Sequence, residues 1–449
     1  MSSECTVLPY GPIPPGFRCS KLEDLCMSES GIQTGPFGSQ LHQEDYVPIG
    51  TPIITVEHLG DNRINSNSRD IPMVSDTDLN RLARYTLQEG DIVFSRVGSV
   101  DRSALVRREE AGWLFSGRCL RVRPNINLID PDYLSWFFGL SIFKEYIRQI
   151  AVGATMPSLN TKLLSEVPIY YPTLPEQRSI ARVIGSLDDK IEINRKINET
   201  LEAIISKIFN SWFIDFDPVR SKISGLQYIC SSDYIADLFP DSFEDSCIGE
   251  IPHGWKVRPI GEMVKVVGGG TPSTEETAFW EEGTHPFCTP KDMASLTSPV
   301  LLDTERYLTD DGVAKISSGQ LPIGTVLLSS RAPIGYLAIT EIPVSINQGI
   351  IAMVCDGELP NIYTLYWSQA NIENFISNAN GSTFLEISKK NFRPLNVLVP
   401  PSQILNQFCQ IAGPLYRQLV NNLMQEPILK SIRNSILPRL ISGEIWISQ

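Results

Sequence analysis

Residues 174–219, LPEQRSIARVIGSLDDKIEINRKINETLEAIISKIFNSWFIDFDPV, constrain this chain more than any other stretch. Steps of four and three residues pick out Ile180, Ile184, Leu187, Ile191, Asn194, Asn198, Leu201, Ile205, Ile208 and Trp212, of which eight are apolar and two are asparagine. That is the seam of a helix packed along its length against another helix. Pro175 and Glu176 mark its first turn, and Asp217-Pro218 marks its end. Such a helix runs roughly 55–60 Å at 1.5 Å per residue, too long for an ordinary core helix. A seam asparagine weakens the pair but fixes its register, because the amide wants a second amide opposite.

The partner helix lies in the same chain. Displaced by 228 residues, Ile180 falls on Phe408, Leu187 on Leu415, Ile191 on Leu419, Asn194 on Asn422, Leu201 on Leu429 and Ile208 on Ile436. Upstream, Gly153-Ala154-Thr155 falls on Gly381-Ser382-Thr383 and Pro172 on Pro400. Two such helices can pair antiparallel. Pro414 and Pro427 are expected to start, kink or interrupt the second, since each removes a backbone donor and crowds the preceding turn.

The segments before each helix repeat as well. Ile13-Pro14-Pro15-Gly16-Phe17 matches Ile251-Pro252-His253-Gly254-Trp255, and Gly90-Asp91-Ile92-Val93-Phe94-Ser95 matches Gly324-Thr325-Val326-Leu327-Leu328-Ser329. The latter pair reads as strands launched from a glycine, with second strands at Ala104-Leu105-Val106 and Tyr336–Thr340. Helical spacing appears around Asp132–Ile147 and Asn361–Ile376. The fold class is therefore α+β, a tandem duplicated frame of mixed units and long helices. The divisions are 1–172, a first globular unit; 173–219, the central long helix; 220–400, a turn-rich acidic passage and the second unit; and 401–449, the C-terminal long helix.

With 42% hydrophobic and 20% charged residues the chain can bury sizeable cores, and it holds no apolar run near the length of a membrane span. The first residues lack the basic start and apolar run of a signal peptide. Nine cysteines, with no C-x-x-C and no paired histidine, read as reduced thiols in a cytoplasm, so no metal site is expected. A net charge of −13 and a pI near 4.9 argue against non-specific coating of nucleic acid but leave room for a local basic surface.

An enzyme needs a site, and none assembles. There is no P-loop, no H-E-x-x-H and no G-x-S-x-G. Gly268-Gly269-Gly270-Thr271-Pro272 lacks the G-x-G-x-x-G spacing, and a proline stands where a phosphate-cradling helix should begin. What remains is recognition chemistry. Arg96, Arg102, Arg107, Arg108, Arg118, Arg121 and Arg123 fall in one run; arginine's planar fork suits phosphates and guanine O6/N7. The competing reading is a solvated strand surface ion-paired to Asp101, Glu109 and Glu110. The counterpart in the second unit is Ser329-Ser330-Arg331-Ala332-Pro333-Ile334-Gly335, with Thr271, Ser273 and Lys291 as possible neighbours.

At this point the chain resembles, over essentially its whole length, the specificity (S) subunit of type I restriction-modification enzymes. The most telling stretch is Leu201-Glu202-Ala203 through Ser211-Trp212-Phe213-Ile214-Asp215-Phe216-Asp217-Pro218-Val219. Leu174-Pro175-Glu176-Gln177, Thr34-Gly35-Pro36-Phe37-Gly38-Ser39, Gly270-Thr271-Pro272-Ser273, Ser330-Arg331-Ala332-Pro333-Ile334-Gly335 and Asn347-Gln348-Gly349 support it. The resemblance implies two target-recognition domains, each reading one half of a split double-stranded DNA sequence. Two antiparallel coiled-coil helices would separate them and dock two methyltransferase subunits, and a motor-nuclease subunit would join for restriction. It implies no cofactor on this chain; S-adenosylmethionine belongs to the methyltransferase subunits, ATP and Mg to the restriction subunit. The carried-over DNA-facing candidates are Ser39, Arg96, Arg102, Arg107, Thr271, Ser273, Lys291, Ser330 and Arg331. The helix seam comprises Ile184, Leu187, Ile191, Asn194, Leu201, Ile205, Ile208, Leu415, Leu419, Asn422, Leu429 and Ile436, and Trp212, Phe213 and Phe216 are the candidates for partner docking. Two other readings stand beside this one: a silent interaction scaffold of the same family, and a stand-alone DNA-acting enzyme, for which the duplicated frame leaves little chain.

Overall fold

The structure, a computed structural model, describes residues 7–8, 11–65, 70–153, 155–225, 233–381 and 385–446. Ala154, Ser382 and Thr383 of the repeat, and residues 226–232 of the connecting passage, lie outside them. Two compact units result, Met1–Ile191 with Pro427–Gln449, and Glu192–Glu426.

The first unit is built on β1 (Arg18–Lys21), β2 (Ile32–Thr34), β3 (Thr51–Ile54), β4 (Ile92–Ser95), β5 (Ser103–Leu105), β6 (Leu114–Phe115), β7 (Cys119–Val122) and β8 (Pro168–Tyr171). Its main sheet has the order β2-β7-β4-β5, all neighbours antiparallel. A period of two divides the side chains between two cores. Ile92, Phe94, Leu120 and Val122 pack under the helices Pro131–Gly139 and Ser141–Ile150, whereas Val93, Ala104 and Cys119 face a second sheet. That second sheet pairs β3 parallel to β6, Ile53 opposite Leu114. β1 and β8 close the unit as an antiparallel pair.

The second unit repeats the plan with β9 (Lys256–Pro259), β10 (Lys265–Gly268), β11 (His285–Cys288), β12 (Val300–Leu301), β13 (Val326–Ser329), β14 (Leu337–Thr340), β15 (Ser345–Ile346), β16 (Ile350–Val354) and β17 (Asn396–Val399). Its main sheet runs β10-β16-β13-β14-β12, the first unit's order plus an edge strand. β11 pairs parallel to β15, and β9 antiparallel to β17. Gly90 and Gly324 hold φ of +88° and +86° in the turns that launch β4 and β13, a backbone state that costs a side-chain-bearing residue energy. Even single hydrogen bonds recur: the Tyr133 hydroxyl donates to the Tyr170 carbonyl at 3.2 Å, and that of Tyr363 to the Leu398 carbonyl at 2.7 Å.

The long helices span Leu174–Phe213 and Ser402–Ile441. Glu176 caps the first, accepting from the Thr173 amide (2.9 Å) and hydroxyl (2.6 Å). The second passes through Pro414 and Pro427 without interruption, so neither proline starts or breaks it. Both rings sit on the exposed side, where a carbonyl left without its donor can take water, while Phe408, Ala412, Leu419 and Leu437 hold the opposite side by burial. The passage 220–250 is not merely turns: helix Asp217–Ile223 leads in, and Phe243–Ser246 pairs with Gly249–Pro252 as a hairpin.

Each unit takes half of each helix, and the pairing inside each is antiparallel. In the second unit Arg195 meets Glu426, Asn198 meets Asn422 and Trp212 lies 6.3 Å from Phe408, so the partner number falls as the first helix advances. The seam amides find amides: Asn422 Nδ2 donates to Asn198 Oδ1 at 2.8 Å, and Asn194 Nδ2 to Gln425 Oε1 at 3.2 Å. Ile205 and Leu419 are buried there, with Leu201, Ile208 and Leu415 half-buried beside them. In the first unit Ile184 is buried in one core with Leu437 and Leu440, and Ile436 packs against it. Ile191 is buried too, and Leu187 and Leu429 are half-buried.

Trp212, Phe213 and Phe216 require a correction. They are 3%, 3% and 9% exposed, in ring contact with Phe239 (5.2 Å), Tyr363 (5.0 Å) and Trp255 (5.9 Å). These aromatics are core of the second unit and present no docking face, because burying such rings inside the unit removes far more apolar surface from water than an open helix face would. The large apolar side chains that the first helix does expose are Ile193, Ile197 and Ile204.

Candidate nucleic-acid interface

In the first unit β2 and β4 both run antiparallel to β7, so their C-terminal ends and the start of β7 lie at one end of the sheet. The connections 35–40, 96–102 and 116–118 therefore converge. Backbone packing is close: a Cβ on Gly35 would run into the Ser116 carbonyl. A fourth segment joins through bridges of Ser158 to Val97 and Val152, and the Leu159 amide donates to the Arg96 carbonyl at 2.8 Å. The second unit repeats this convergence with 269–276, 330–336, 347–349 and the flanking residues 380–381 and 385–387. A Cβ on Gly269 would strike the Ile346 carbonyl, Glu386 bridges Arg331 and Asn380, and the Ile387 amide donates to the Ser330 carbonyl at 3.0 Å.

The side chains at the two sheet ends differ. In the first unit Arg96 donates from Nη1 to the Gly117 carbonyl at 3.2 Å and sets its guanidinium 5.6 Å from the centre of the Phe37 ring, itself 61% exposed. Arg96 Nε is buried without a hydrogen-bond partner. Arg102 and Arg118 are exposed, and neither side chain has an ion pair or hydrogen bond among the described residues. An arginine fork beside an exposed ring can grip phosphate, guanine or a thymine methyl. The side chain of Ser39 lies outside the described residues.

Arg107 belongs elsewhere. It pairs with Asp132 at 2.7 Å, and its Nε and Nη2 are buried, so it ties the strand to a helix start instead of facing a ligand. Arg121 is 2% exposed and donates to the Ser30 carbonyl at 2.6 Å; burial and then the neighbouring Arg123 cation push its pKa down. Arg123 makes a two-pronged pair with Asp91, both contacts 2.7 Å. The arginine run thus divides into structural members, Arg107, Arg121 and Arg123, and exposed ones, Arg102 and Arg118. The ion pairs differ from those read in the sequence: Asp101 pairs with Arg148 at 2.8 Å, and Glu110 caps the Arg107 amide.

At the second sheet end Thr271 donates to Gln348 Oε1 at 2.5 Å, and Arg331 approaches Glu386 at 3.7 Å with its side chain 38% exposed. Ser273 is exposed, its carbonyl accepting from Trp280 Nε1 at 2.9 Å. Lys291 is held by Glu305 at 2.7 Å, and that hydrogen bond raises its pKa. Ser330 is 2% exposed and contributes backbone bonds, one from its amide to the Gly349 carbonyl; it does not face outward. Lys389 lays its side chain against Gly268, joining the cluster from far along the chain. Phe37, Arg118, Gln348 and Lys389 were not among the DNA-facing candidates; the sheet order brings the first two to the end of the first sheet and the last two to the end of the second. Among the described residues, no group of three or more His, Cys, Asp or Glu is placed to hold a metal ion, and no helix is long and apolar enough to cross a membrane.

Two copies of one sheet-end loop cluster, each on a unit holding half of an antiparallel helix pair, define a tandem recognition scaffold. A model of the type I restriction modification DNA specificity domain matches residues 14–203 and 252–426, and the chain belongs to that family. It is 26% identical over 413 residues to the type I restriction enzyme HindI specificity subunit of Haemophilus influenzae, covering 82% of this chain and 89% of that one. It is 27% identical over 327 residues to the MjaIX specificity subunit of Methanocaldococcus jannaschii, covering 71% and 70%. A crystal structure of a type I restriction-modification system S subunit from M. genitalium shares the fold, with TM-score 0.56 and 15% identity over 100% of this chain and 99% of that one. A specificity subunit is the non-catalytic member of its complex.

Proposed function

We propose that this chain reads a split double-stranded DNA sequence, one segment per unit, through the loop clusters at the ends of the two main sheets. The observation that carries this reading is the recurrence of one loop convergence on two copies of the sheet with different side chains. Arg96, Arg118 and Phe37 are at one end, and Thr271, Gln348 and Arg331 at the other. Repeating the scaffold while varying its tips suits recognition of two unlike half-sites. The divisions 1–172 and 220–400 are the two target-recognition domains in this reading, with 173–219 and 401–449 as the helical spacer. Two methyltransferase subunits carrying S-adenosylmethionine dock on the spacer, and ATP- and Mg-dependent restriction subunits join that complex. Half-sites one B-DNA turn apart are about 34–36 Å from centre to centre, within the length of such a helix.

The test is single-molecule sequencing of methylated adenine in cells carrying the cognate methyltransferase with and without this chain. The expected result is a split motif with N6-methyladenine in each half that disappears when the chain is deleted. A stable complex with a working methyltransferase that marks no motif would favour the silent-scaffold alternative.

A further inference from the structure

Within the first unit, five charged side chains form one alternating chain between the recognition fold and the helix pair. Asp61 and Arg63 come from the connection after β3; Asp188 and Asp189 lie on the first long helix and Arg433 on the second. Arg63 reaches Asp188 through Nε and Asp189 through Nη2, both at 2.5 Å. Arg433 reaches the same Asp188 at 3.0 Å and also pairs with Asp61. The centre of this chain is dry: the side chains of Arg433 and Asp188 are 5% and 6% exposed.

The connection is also keyed into the recognition fold. Asn62, between the two charged residues, is 5% exposed, bridges Ala104 on β5, accepts at its carbonyl from the Leu105 amide at 3.4 Å and takes the Ser135 hydroxyl on its side chain. A movement of the sheet relative to the helices would therefore break ion pairs directly. The second unit is seated by other chemistry. In the repeat register Asp188 falls on Tyr416 and Arg433 falls on Ile205. Tyr416 donates to Glu341 at 2.8 Å, and in the same core Phe209, Trp212, Phe213 and Phe408 form an aromatic cluster. Apolar packing of that kind is non-directional, whereas arginine forks on carboxylates hold one geometry.

We propose that Asp61 and Arg63 are positioning residues: with Asp188, Asp189 and Arg433 they clamp the first recognition fold onto the helix pair and so restrict the complex to one spacing between the two half-sites. This rests on the split-target reading above. The clamp touches no base; it acts on which spacer is accepted.

The experiment uses the complete chain assembled with its cognate methyltransferase and a DNA library in which both half-sites are constant and the gap varies by one or two base pairs. N6-methyladenine is counted per spacer. The double variant Asp61→Asn/Arg63→Gln removes the recognition fold's share of the clamp and leaves the Asp188–Arg433 pair intact. Methylation at neighbouring spacers, relative to the preferred one, is expected to rise roughly tenfold with the half-site sequences unchanged. A ratio equal to that of the wild type overturns the clamp. If the variant methylates nothing, the wild-type ratio decides: salt screens the outer carboxylates Asp61 and Asp189, whose side chains are 60% and 62% exposed, so the ratio should rise as salt is increased from about 0.05 to about 0.5 M, and a ratio flat with salt overturns the proposal. A wild-type complex that marks no split sequence refutes the recognition reading itself, a different outcome from a variant that keeps one spacer.

Discussion

Trp212 stands in the chain's most recognisable stretch, yet replacing it should unfold the second unit before it affects any partner. The indole is 3% exposed and packs edge-on to Phe239 at 5.2 Å, with Phe213 and Phe408 within 6.3 Å. Trp212→Ala removes all of these contacts and leaves a cavity that close-packed rings fill poorly, at a cost of about 3–5 kcal/mol. For a unit of this size each kcal/mol lowers the midpoint by about 2–4 °C, so its melting step should fall by about 6–20 °C. Ile197→Asp is the contrast: Ile197 is 39% exposed on the first long helix, and its replacement should leave the midpoint within about 2 °C. Calorimetry and capture of the purified methyltransferase subunit, run on both variants, separate the cases. Trp212→Ala is expected to melt early, and Ile197→Asp to keep its melt and lose capture. An unchanged melt with lost capture for Trp212→Ala would refute the reasoning and return the indole to a docking role.

Two further outcomes follow from the helix pair and the first sheet end. Asn422→Leu strips the donor from Asn198 Oδ1, a buried acceptor, and should cost about 1–3 kcal/mol in urea unfolding; adding Asn198→Leu should recover most of it, since it removes that unsatisfied acceptor, and Gln418, which loses Asn422 Oδ1, is exposed to water. Arg118→Ala should leave stability within about 0.5 kcal/mol and weaken DNA binding by about 1–3 kcal/mol at one position of the first half-site. Titration of single-base variants of both half-sites checks this, and an equal loss at every sequence would make Arg118 a phosphate contact instead.

Periodicity and repetition made much of the architecture readable. A heptad with asparagines at two seam positions and a second copy 228 residues on define a paired helix, and Asn198 does meet Asn422. Glycine-launched runs define β4 and β13, because alternation and a turn residue are local properties. Neither proline starts or interrupts the second helix, because propensity is local while the burial that holds the helix is not. Trp212 was misplaced for a related reason. Apolar character shows that a side chain seeks burial, but not whether a core or a partner supplies it.

The candidate interface was legible only in part. Motif position picked out Arg96, Thr271 and Arg331, and all three stand at the sheet ends. Charge alone could not separate Arg118, which is exposed, from Arg121, which is buried, or Arg107, which is paired with Asp132. The clamp was invisible, since Asp61 and Arg433 are 372 residues apart and share no motif. Repeat, periodicity and turn chemistry act between near neighbours, so they are written in order along the chain and specify two α+β units with a helix pair. Which arginine is free, which aromatic is core and which aspartate meets which arginine depend on strand order and helix register, and these exist only once distant segments have packed together.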